Sequence, residues 1–187
     1  MIEAMVGWAK GATRLAAITA AASLGATMAQ AEVTQVSAQG FTVVIAHTVE
    51  SDPDRVWQAF TQLPQWWNNQ HTWSGQAANM SLEAQAGGCW CERWGNGQSV
   101  MHGQVVMVQP GSALRLNAWL GPLQELAVAG VITFGTVRRD GATRLRVTYR
   151  VAGAPEAGFE KLAPVVDRVL SEQVARLKKF IETGKAE

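Results

Sequence analysis

Residues 132–151, ITFGTVRRDGATRLRVTYRV, predict a regular pair of antiparallel strands and thereby decide the fold class. An Asp-Gly pair between runs of β-branched and apolar residues is a strong signal for a two-residue hairpin turn. With Asp140-Gly141 as that turn, Arg139 lies opposite Ala142, and the apolar side chains of both strands share one face. These side chains are Ile132, Phe134, Leu145, Val147, Tyr149 and Val151. The other face of the second strand is rich in arginine, so the apolar face is predicted to be the buried side of a sheet.

The chain ends in a helical pattern, from about residue 155 to residue 182. Apolar residues recur there mostly on one stripe, acids cluster early and bases cluster late, as the helix dipole favours. Pro164 means that this helix either kinks or begins near that position. Earlier in the chain, Asp52-Pro53 is typical of a helix start and Pro64 ends that helix. Gln65-Trp66-Trp67 then predict a second short turn or helix.

Turn residues divide the middle of the chain into short strands. The turn pairs are Gly87-Gly88, Asn96-Gly97, Pro110-Gly111, Gly121-Pro122 and Asp140-Gly141. Short strands separated by such pairs predict an antiparallel meander. One amphipathic helix packed on one face of a curved antiparallel sheet is a two-layer α+β design.

The first thirty-one residues differ in character from the rest. Lys10 and Arg14 precede an apolar, alanine-rich run that ends in Ala29-Gln30-Ala31. This pattern predicts a secretory signal peptide cleaved after Ala31, rather than an amphipathic surface helix, and hence a secreted or periplasmic protein. The run is too short to span a membrane, so we expect no stable membrane insertion after cleavage.

Cleavage would leave residues 32–187, a length that predicts a single domain. The chain has 16 basic and 15 acidic residues, and 14 of each remain because Lys10, Arg14 and Glu3 lie in the signal segment. A net charge of zero offers no electrostatic footprint for nucleic acid or an anionic membrane. Neither is therefore an expected partner.

The stretch that says most about function is residues 87–103, GGCWCERWGNGQSVMHG, which predict a second hairpin. Strand alternation predicts two faces, with Trp90, Glu92 and Trp94 on one and Cys89, Cys91 and Arg93 on the other. A carboxylate between two indoles is costly on a core-facing surface unless it has a partner or lines a cavity. A partnered Glu92 would either pair with an arginine or accept hydrogen bonds from backbone N–H groups.

Tight turns at Asn96-Gly97 and Pro110-Gly111 predict the register of this hairpin and the next. The predicted pairs are Trp90 with Gly103, Glu92 with Met101, Trp94 with Ser99, Val105 with Leu116 and Met107 with Leu114. His102 then falls on the outer face, near Cys89 and Cys91. Two cysteines and a histidine could bind a soft metal, but a fourth protein ligand is missing, so no metal site is predicted.

The redox state of Cys89 and Cys91 is left open by their spacing. Residues i and i+2 of a regular strand lie roughly 6.5 Å apart, with side chains poorly directed for a bridge. Free thiols, a mixed disulfide and a strained bridge at a bulge are all compatible with the sequence.

Four segments of the chain resemble the SRPBCC superfamily. They are DPDRVWQAFTQLPQWW (52–67), LEAQAGGCWCERWGNGQSVMHGQV (82–105), LRLNAWLGPLQ (114–124) and LAPVVDRVLSEQVARLKKFIE (162–182). Within it they are most similar to the START-like branch named after the heat-shock-chaperone ATPase activator and polyketide cyclases, over nearly all of residues 32–187. The resemblance implies a helix-grip fold: about seven antiparallel strands curved around a long C-terminal helix, two short helices after the first strand, and a cavity between sheet and helix.

The resemblance also implies a set of cavity residues, and the register reasoning leads to the same surface. The expected ligand-binding residues are Trp90, Glu92, Trp94, Met101, Phe134 and Tyr149. The superfamily hosts ligand carriers, cyclases, chaperone co-factors and oxygenase domains, so the likeness identifies the fold more than the activity. A signal peptide would separate this chain from a cytosolic chaperone, and the sequence contains no phosphate-binding G-x-x-x-x-G-K-[ST] motif.

Three functions follow as hypotheses. The first is an exported binder of a small hydrophobic molecule (a lipid, polyketide or aromatic metabolite) without a cofactor, in which Glu92 and Tyr149 orient the ligand. The second is a cyclase or dehydratase in which Glu92, its pKa raised by apolar walls, is general acid or base and Tyr149 donates a proton. The third is a cell-envelope interaction or stress module that uses an exposed Trp66-Trp67 pair and the two cysteines.

Overall fold

The computed structural model of the protein describes residues 32–187, and the predicted signal peptide lies outside this range. The described residues form one antiparallel sheet of eight strands with a long C-terminal helix packed on it. This confirms the predicted α+β helix-grip class. The sheet has one strand more than the expected seven, because residues 32–37 pair with the strand that begins at Gly40.

The elements follow the predicted order. The strands are β1 Glu32–Ser37, β2 Gly40–Val49, β3 Met80–Leu82, β4 Cys89–Trp94, β5 Gln98–Gln109, β6 Ala113–Ala118, β7 Val128–Arg139 and β8 Ala142–Gly153. The α-helices are α1 Pro53–Thr61, α2 Leu63–Trp66 and α3 Phe159–Thr183, with short 3-10 turns at Asn69–His71, Ala77–Asn79, Gly121–Glu125 and Pro155–Ala157. In the sheet the strands lie in the order β1-β2-β8-β7-β6-β5-β4-β3.

The β7–β8 hairpin has the register that its sequence predicts. Arg139 pairs with Ala142, and the two turn residues Asp140 and Gly141 both have positive φ, 53° and 81°. Such a turn matches the right-handed twist of the flanking strands. The apolar residues named from the sequence are all buried on the helix-covered side, and the prediction is confirmed.

The β4–β5 hairpin departs from its predicted register. Trp90 pairs with Gly103 as expected, but the pairing shifts between Trp90 and Cys91, and the turn contains three residues, 95–97. Glu92 therefore pairs with Val100 and Trp94 with Gln98, so the two predictions that assumed a two-residue turn are wrong. The extra residue on β5 is His102, and a bulge of this kind reverses the alternation of the strand on one side of it.

The next pair, β5 and β6, contains a second bulge. Gly103 pairs with Ala118 and Val105 with Leu116, as predicted. Beyond a shift between Val105 and Met107, Leu114 pairs with Val108 rather than with Met107. The loop after β5 holds three residues, 110–112, which corrects the assumption of a tight Pro-Gly turn.

Helix α3 closes the concave face of the sheet. It begins at Phe159 and includes Pro164, so the proline lies within the first two turns rather than at the start. Its buried side chains pack chiefly over β1 and β2, and α1 packs against both α3 and β7. Across residues 32–187, no helix is both long and apolar enough to cross a membrane.

Aromatic side chains fill the core where α1 and α2 meet the sheet. Phe60 lies against Phe134 with ring centroids 5.5 Å apart, and Trp66 is fully buried with its indole N–H donated to the carbonyl of Ala59 at 2.8 Å.

Candidate functional site

A cavity of about 370 Å³ lies between the N-terminal half of α3 and two loops, residues 67–73 and 120–125. Helix α3 contributes an apolar wall of Leu162, Val165, Val166, Val169 and Leu170. The loops add Trp67, Trp73, Leu120 and Pro122, and the polar members of the lining are Gln70, His71, Thr72, His102 and Glu125. The arrangement is an apolar chamber with few polar groups, the usual composition of a small-molecule site.

Side-chain hydrogen bonds hold the 67–73 loop against α3. The backbone N–H of Asn68 donates to Oε1 of the buried Gln173 at 2.8 Å, and the amide of Asn68 donates to Glu172. Trp67 donates its indole N–H to the carbonyl of His71 at 2.8 Å. Since the two Asn68 contacts link residues about one hundred positions apart, this wall of the cavity forms only when α3 is docked.

Glu92 anchors the far end of the same loop. Its carboxylate is fully buried and accepts the backbone N–H groups of Trp73 at 3.1 Å and Ser74 at 2.5 Å. Nε2 of His102 lies 3.0 Å from the carboxylate. Glu92 is thus the capping carboxylate that the sequence allowed as one explanation, with a histidine as an additional partner.

These partners set the charge state of Glu92. Burial acts to raise the pKa of this carboxyl group, but hydrogen bonds from Ser74, Trp73 and His102 outweigh it and hold the pKa below its usual value. The expectation of a raised pKa, on which the acid–base hypothesis rested, is therefore wrong. A carboxylate that accepts three hydrogen bonds in its ionised form is a poor proton donor.

His102 faces the cavity, which corrects its predicted position on the outer face. The β4–β5 bulge turns it inward, where it is 4% exposed and lies beside Trp90, with ring centroids 5.7 Å apart. Burial lowers the pKa of His102, and this effect exceeds the opposing influence of Glu92. The ring is consequently held neutral in the wall of the cavity.

The predicted ligand-binding residues are not all brought together. Glu92 and Trp90 lie behind the cavity wall, and Trp90 packs edge-on against Trp67, with centroids 5.1 Å apart. Met101 is 47% exposed, because the bulge turns it outward, and Trp94 lies in a shallow groove at the tip of the β4–β5 hairpin. Their predicted places in the cavity are corrected accordingly.

The other two predicted residues belong to the packed interior. Phe134 lies against Phe60, away from the cavity lining. Tyr149 donates its hydroxyl to the carbonyl of Ala118 at 3.0 Å, and burial raises the pKa of this phenol. Ala118 ends the strand that leads into Leu120, so Tyr149 supports the 120–125 wall from behind rather than facing the cavity.

The cysteines are joined to each other. Cys89 and Cys91 form a disulfide across the bulge, with Cα atoms 5.3 Å apart, which is the third of the states that their spacing allowed. Since His102 faces away from them, the outer cluster of two cysteines and a histidine does not form. Trp66 and Trp67 are 0% and 5% exposed. They therefore do not form the exposed aromatic pair that the interaction-module hypothesis requires.

The sequence reasoning missed His102 and the α3 residues of the cavity. The C-x-C pair was the available signal, because a bridge between strand residues i and i+2 calls for a local irregularity that shortens their separation. The register shift observed at Trp90–Cys91 leaves His102 of β5 as the extra residue, so His102 lies on the side opposite to the predicted one. The α3 residues were recognised only as an apolar stripe, and nothing in the stripe distinguishes core from cavity.

Comparisons with known proteins agree with this fold. Residues 50–182 match the family model described as activator of Hsp90 ATPase homolog 1-like protein, and no curated protein matches the chain. A conserved protein of unknown function from Enterococcus faecalis has a similar structure, with a TM-score of 0.59 at 14% identity over 84% of this chain and 80% of that one. A protein of unknown function from Staphylococcus aureus gives 0.57 at 16% identity, over 78% and 96% of the two chains. At these identities the structural likeness shows the fold alone.

Proposed function

Because this chain belongs to the family of activator of Hsp90 ATPase homolog 1-like proteins, we propose that it uses the family's helix–sheet architecture to bind a small hydrophobic molecule. The proposed site is the cavity between α3 and the 67–73 and 120–125 loops. On the pattern of residues 1–31, we further propose that the protein is secreted or periplasmic. We do not propose that this protein activates a chaperone, although the family's description names an activator.

The observation that carries the proposal is an apolar cavity of about 370 Å³ beside the buried hydrophobic core. This volume falls within the usual range for small-molecule sites, about 300–1,000 Å³. It suits a compact molecule of two or three rings, or part of a longer lipid chain. A ligand that loses about 200 Å² of apolar surface there would gain about 5 kcal/mol of hydrophobic stabilisation, from which the entropic cost of association is subtracted.

Polar contacts within the protein support the rim of the cavity. Glu92 holds the Trp73–Ser74 backbone, Gln173 holds Asn68, and Tyr149 holds the end of β6. Such supports keep an apolar cavity open in the absence of a ligand, which favours binding because less ordering is needed when the ligand enters.

The acid–base alternative centred on Glu92 is not proposed. Both oxygens of the carboxylate are hydrogen-bonded to protein groups, and its pKa is lowered rather than raised. The phenol of Tyr149 donates to a backbone carbonyl.

Fluorescence titration with N-phenyl-1-naphthylamine, an uncharged apolar dye, tests the proposal. The wild-type protein should bind the dye with a saturable rise in emission. Val169→Trp, which fills the chamber from α3, should weaken binding at least tenfold. Val137→Trp is the matched control, because Val137 is 57% exposed on β7 and outside the cavity. Absence of saturable binding in the wild type, or equal binding by Val169→Trp, would contradict the proposal.

A further inference from the structure

We infer that His102 is the recognition group of this cavity: its Nδ1 accepts a hydrogen bond from a neutral hydroxyl or similar donor on an otherwise apolar ligand. The inference rests on the proposed function and deepens it by naming the ligand class. The expected ligands are alcohols and phenols rather than carboxylates or pure hydrocarbons.

The tautomer of His102 follows from its partner. Nε2 lies 3.0 Å from Oε2 of Glu92, and an ionised carboxylate can only accept hydrogen bonds. Nε2 must therefore carry a hydrogen. The other ring nitrogen, Nδ1, has no hydrogen-bond acceptor among the described residues, and burial favours the neutral ring, so Nδ1 carries no hydrogen and can only accept.

Nδ1 is also free to meet a ligand. Within residues 32–187 it makes no hydrogen bond to any side chain or backbone group. The fully buried side-chain polar atoms without a partner in residues 32–187 belong to Trp90, Thr136, Asp167 and Gln173. Since Nδ1 of His102 also lacks a partner but is not one of these atoms, it is not fully buried. It therefore keeps some open space beside it, and His102 belongs to the lining of the cavity.

The charges around the cavity select against anions. The lining contains no lysine or arginine among the described residues, whereas Glu125 lies in it and the ionised Glu92 lies directly behind His102. His71 also lines the cavity, but its Nε2 lies 3.2 Å from a carboxylate oxygen of Glu172. A carboxylate ligand would thus meet two negative groups and a bare nitrogen, while a hydroxyl would find an acceptor.

Three matched probes test this inference at pH 7.5: 2-naphthol, 2-methoxynaphthalene and 2-naphthoate, each measured by displacement of N-phenyl-1-naphthylamine. One neutral hydrogen bond should make 2-naphthol bind about five- to tenfold more tightly than its methyl ether, with 2-naphthoate the weakest.

Two variants locate the effect. His102→Gln keeps an amide N–H that can donate to Glu92 but has no acceptor at the Nδ1 position, so the preference for 2-naphthol should fall to about twofold or less. His47→Gln changes a histidine of β2 outside the cavity lining and should leave the preference unchanged.

Nitrogen-15 NMR of histidine-labelled wild-type protein provides a measurement that does not depend on a variant folding. The Nδ1 resonance of His102 should shift on addition of 2-naphthol and not on addition of 2-methoxynaphthalene. Equal affinity for the two probes, tightest binding of 2-naphthoate, an unchanged preference in His102→Gln, or an unmoved Nδ1 resonance would each overturn the inference. In those cases binding of the methyl ether would still support the proposed cavity, whereas no binding of any probe would remove both proposals.

Discussion

Two hairpins of the same sheet, β4–β5 and β7–β8, are built in opposite ways. The β7–β8 hairpin has a two-residue turn and an unbroken register over twelve pairs. The β4–β5 hairpin has a longer turn, a bulge at its centre, and a disulfide between the residues on either side of Trp90. The regular hairpin supplies core, whereas the irregular one supplies His102 to the cavity lining and Glu92 as its hydrogen-bond partner behind it.

The contrast between the two hairpins shows where polar side chains can be placed in a sheet. A regular strand sends alternate side chains to opposite faces, so adjacent residues cannot both point inward. The bulge lets His102 and its neighbour Gly103 both lie on the buried side, and it brings His102 within hydrogen-bond distance of Glu92 across the strands. Irregularity of this kind recurs near functional sites because it re-aims a single side chain.

Removing Glu92 from the irregular hairpin should have the largest effect on the free energy of unfolding. Glu92→Leu leaves the N–H groups of Trp73 and Ser74 and the ring of His102 without their acceptor, so we expect a loss of about 3–5 kcal/mol in the free energy of unfolding. The control is Thr136→Val in β7, because the hydroxyl of Thr136 is buried without a partner, and the change should alter stability by about 0.5 kcal/mol or less. Urea unfolding measures both, and a loss below 1 kcal/mol for Glu92→Leu would show that Glu92 is not the anchor described.

Adding a methyl group to one glycine in each hairpin should affect the free energy of unfolding differently in the two hairpins. At Gly103 the new Cβ would lie 2.7 Å from the carbonyl oxygen of Asn117 and 3.2 Å from the Cβ of Ala118, so the strands must move apart. We expect Gly103→Ala to cost about 1–3 kcal/mol. At Gly135 the nearest atom is 3.7 Å away, and Gly135→Ala should be neutral or stabilise by about 0.5 kcal/mol. Equal effects in urea unfolding would contradict the close packing of β5 on β6.

The disulfide offers a smaller test of the irregular hairpin. It closes a very short loop, so in the chain-entropy treatment its removal by the double change Cys89→Ser and Cys91→Ser should cost about 1–2 kcal/mol. Treatment of the wild type with dithiothreitol should lower its Tm as much as the double change does. The same treatment should not change the Tm of the double variant. A Tm insensitive to both changes would mean that the bulge is held by strand pairing alone.

The smallest expected effect is a pH dependence of stability in mildly acidic solution. The pKa of His102 is lowered in the folded protein by burial, so the unfolded chain takes up a proton first, and stability is lost as the pH falls below about 6.5. The lowered pKa of Glu92 acts in the same direction, since its contribution is present above about pH 4.5 and disappears as the pH falls through the folded value.

Thermal melts between pH 7.5 and 5.5 test this sign. The Tm of the wild type should decrease on acidification, and that of His102→Gln should decrease less. His47 of β2 also has a pKa lowered by burial and then by Lys178, so His47→Gln should remove a separate part of the slope. A Tm that rises on acidification would contradict the assigned directions.

The regular parts of the molecule could be predicted because their signals are local. The Asp140-Gly141 turn and the alternation on either side of it specify the β7–β8 register, and the stripe on α3 specifies a long amphipathic helix. The prediction failed where the pairing contained an extra residue. At Met101 and His102 a shift of one position decides between the inner and outer faces, and the local alternation does not record it.

Alternation and turn chemistry in the sequence were enough to predict the α+β class, the order of elements and the inward position of Trp90 and Glu92. The cost of burying a charge was enough to predict that Glu92 needs partners. Only the tertiary structure decided which partners Glu92 has, where His102 points, and where the cavity lies. The reason is physical: the cavity is bounded by α3 and by loops at residues 67–73 and 120–125, which meet only when the helix docks on the sheet. A gap left between segments so distant in the chain has no counterpart in local pattern.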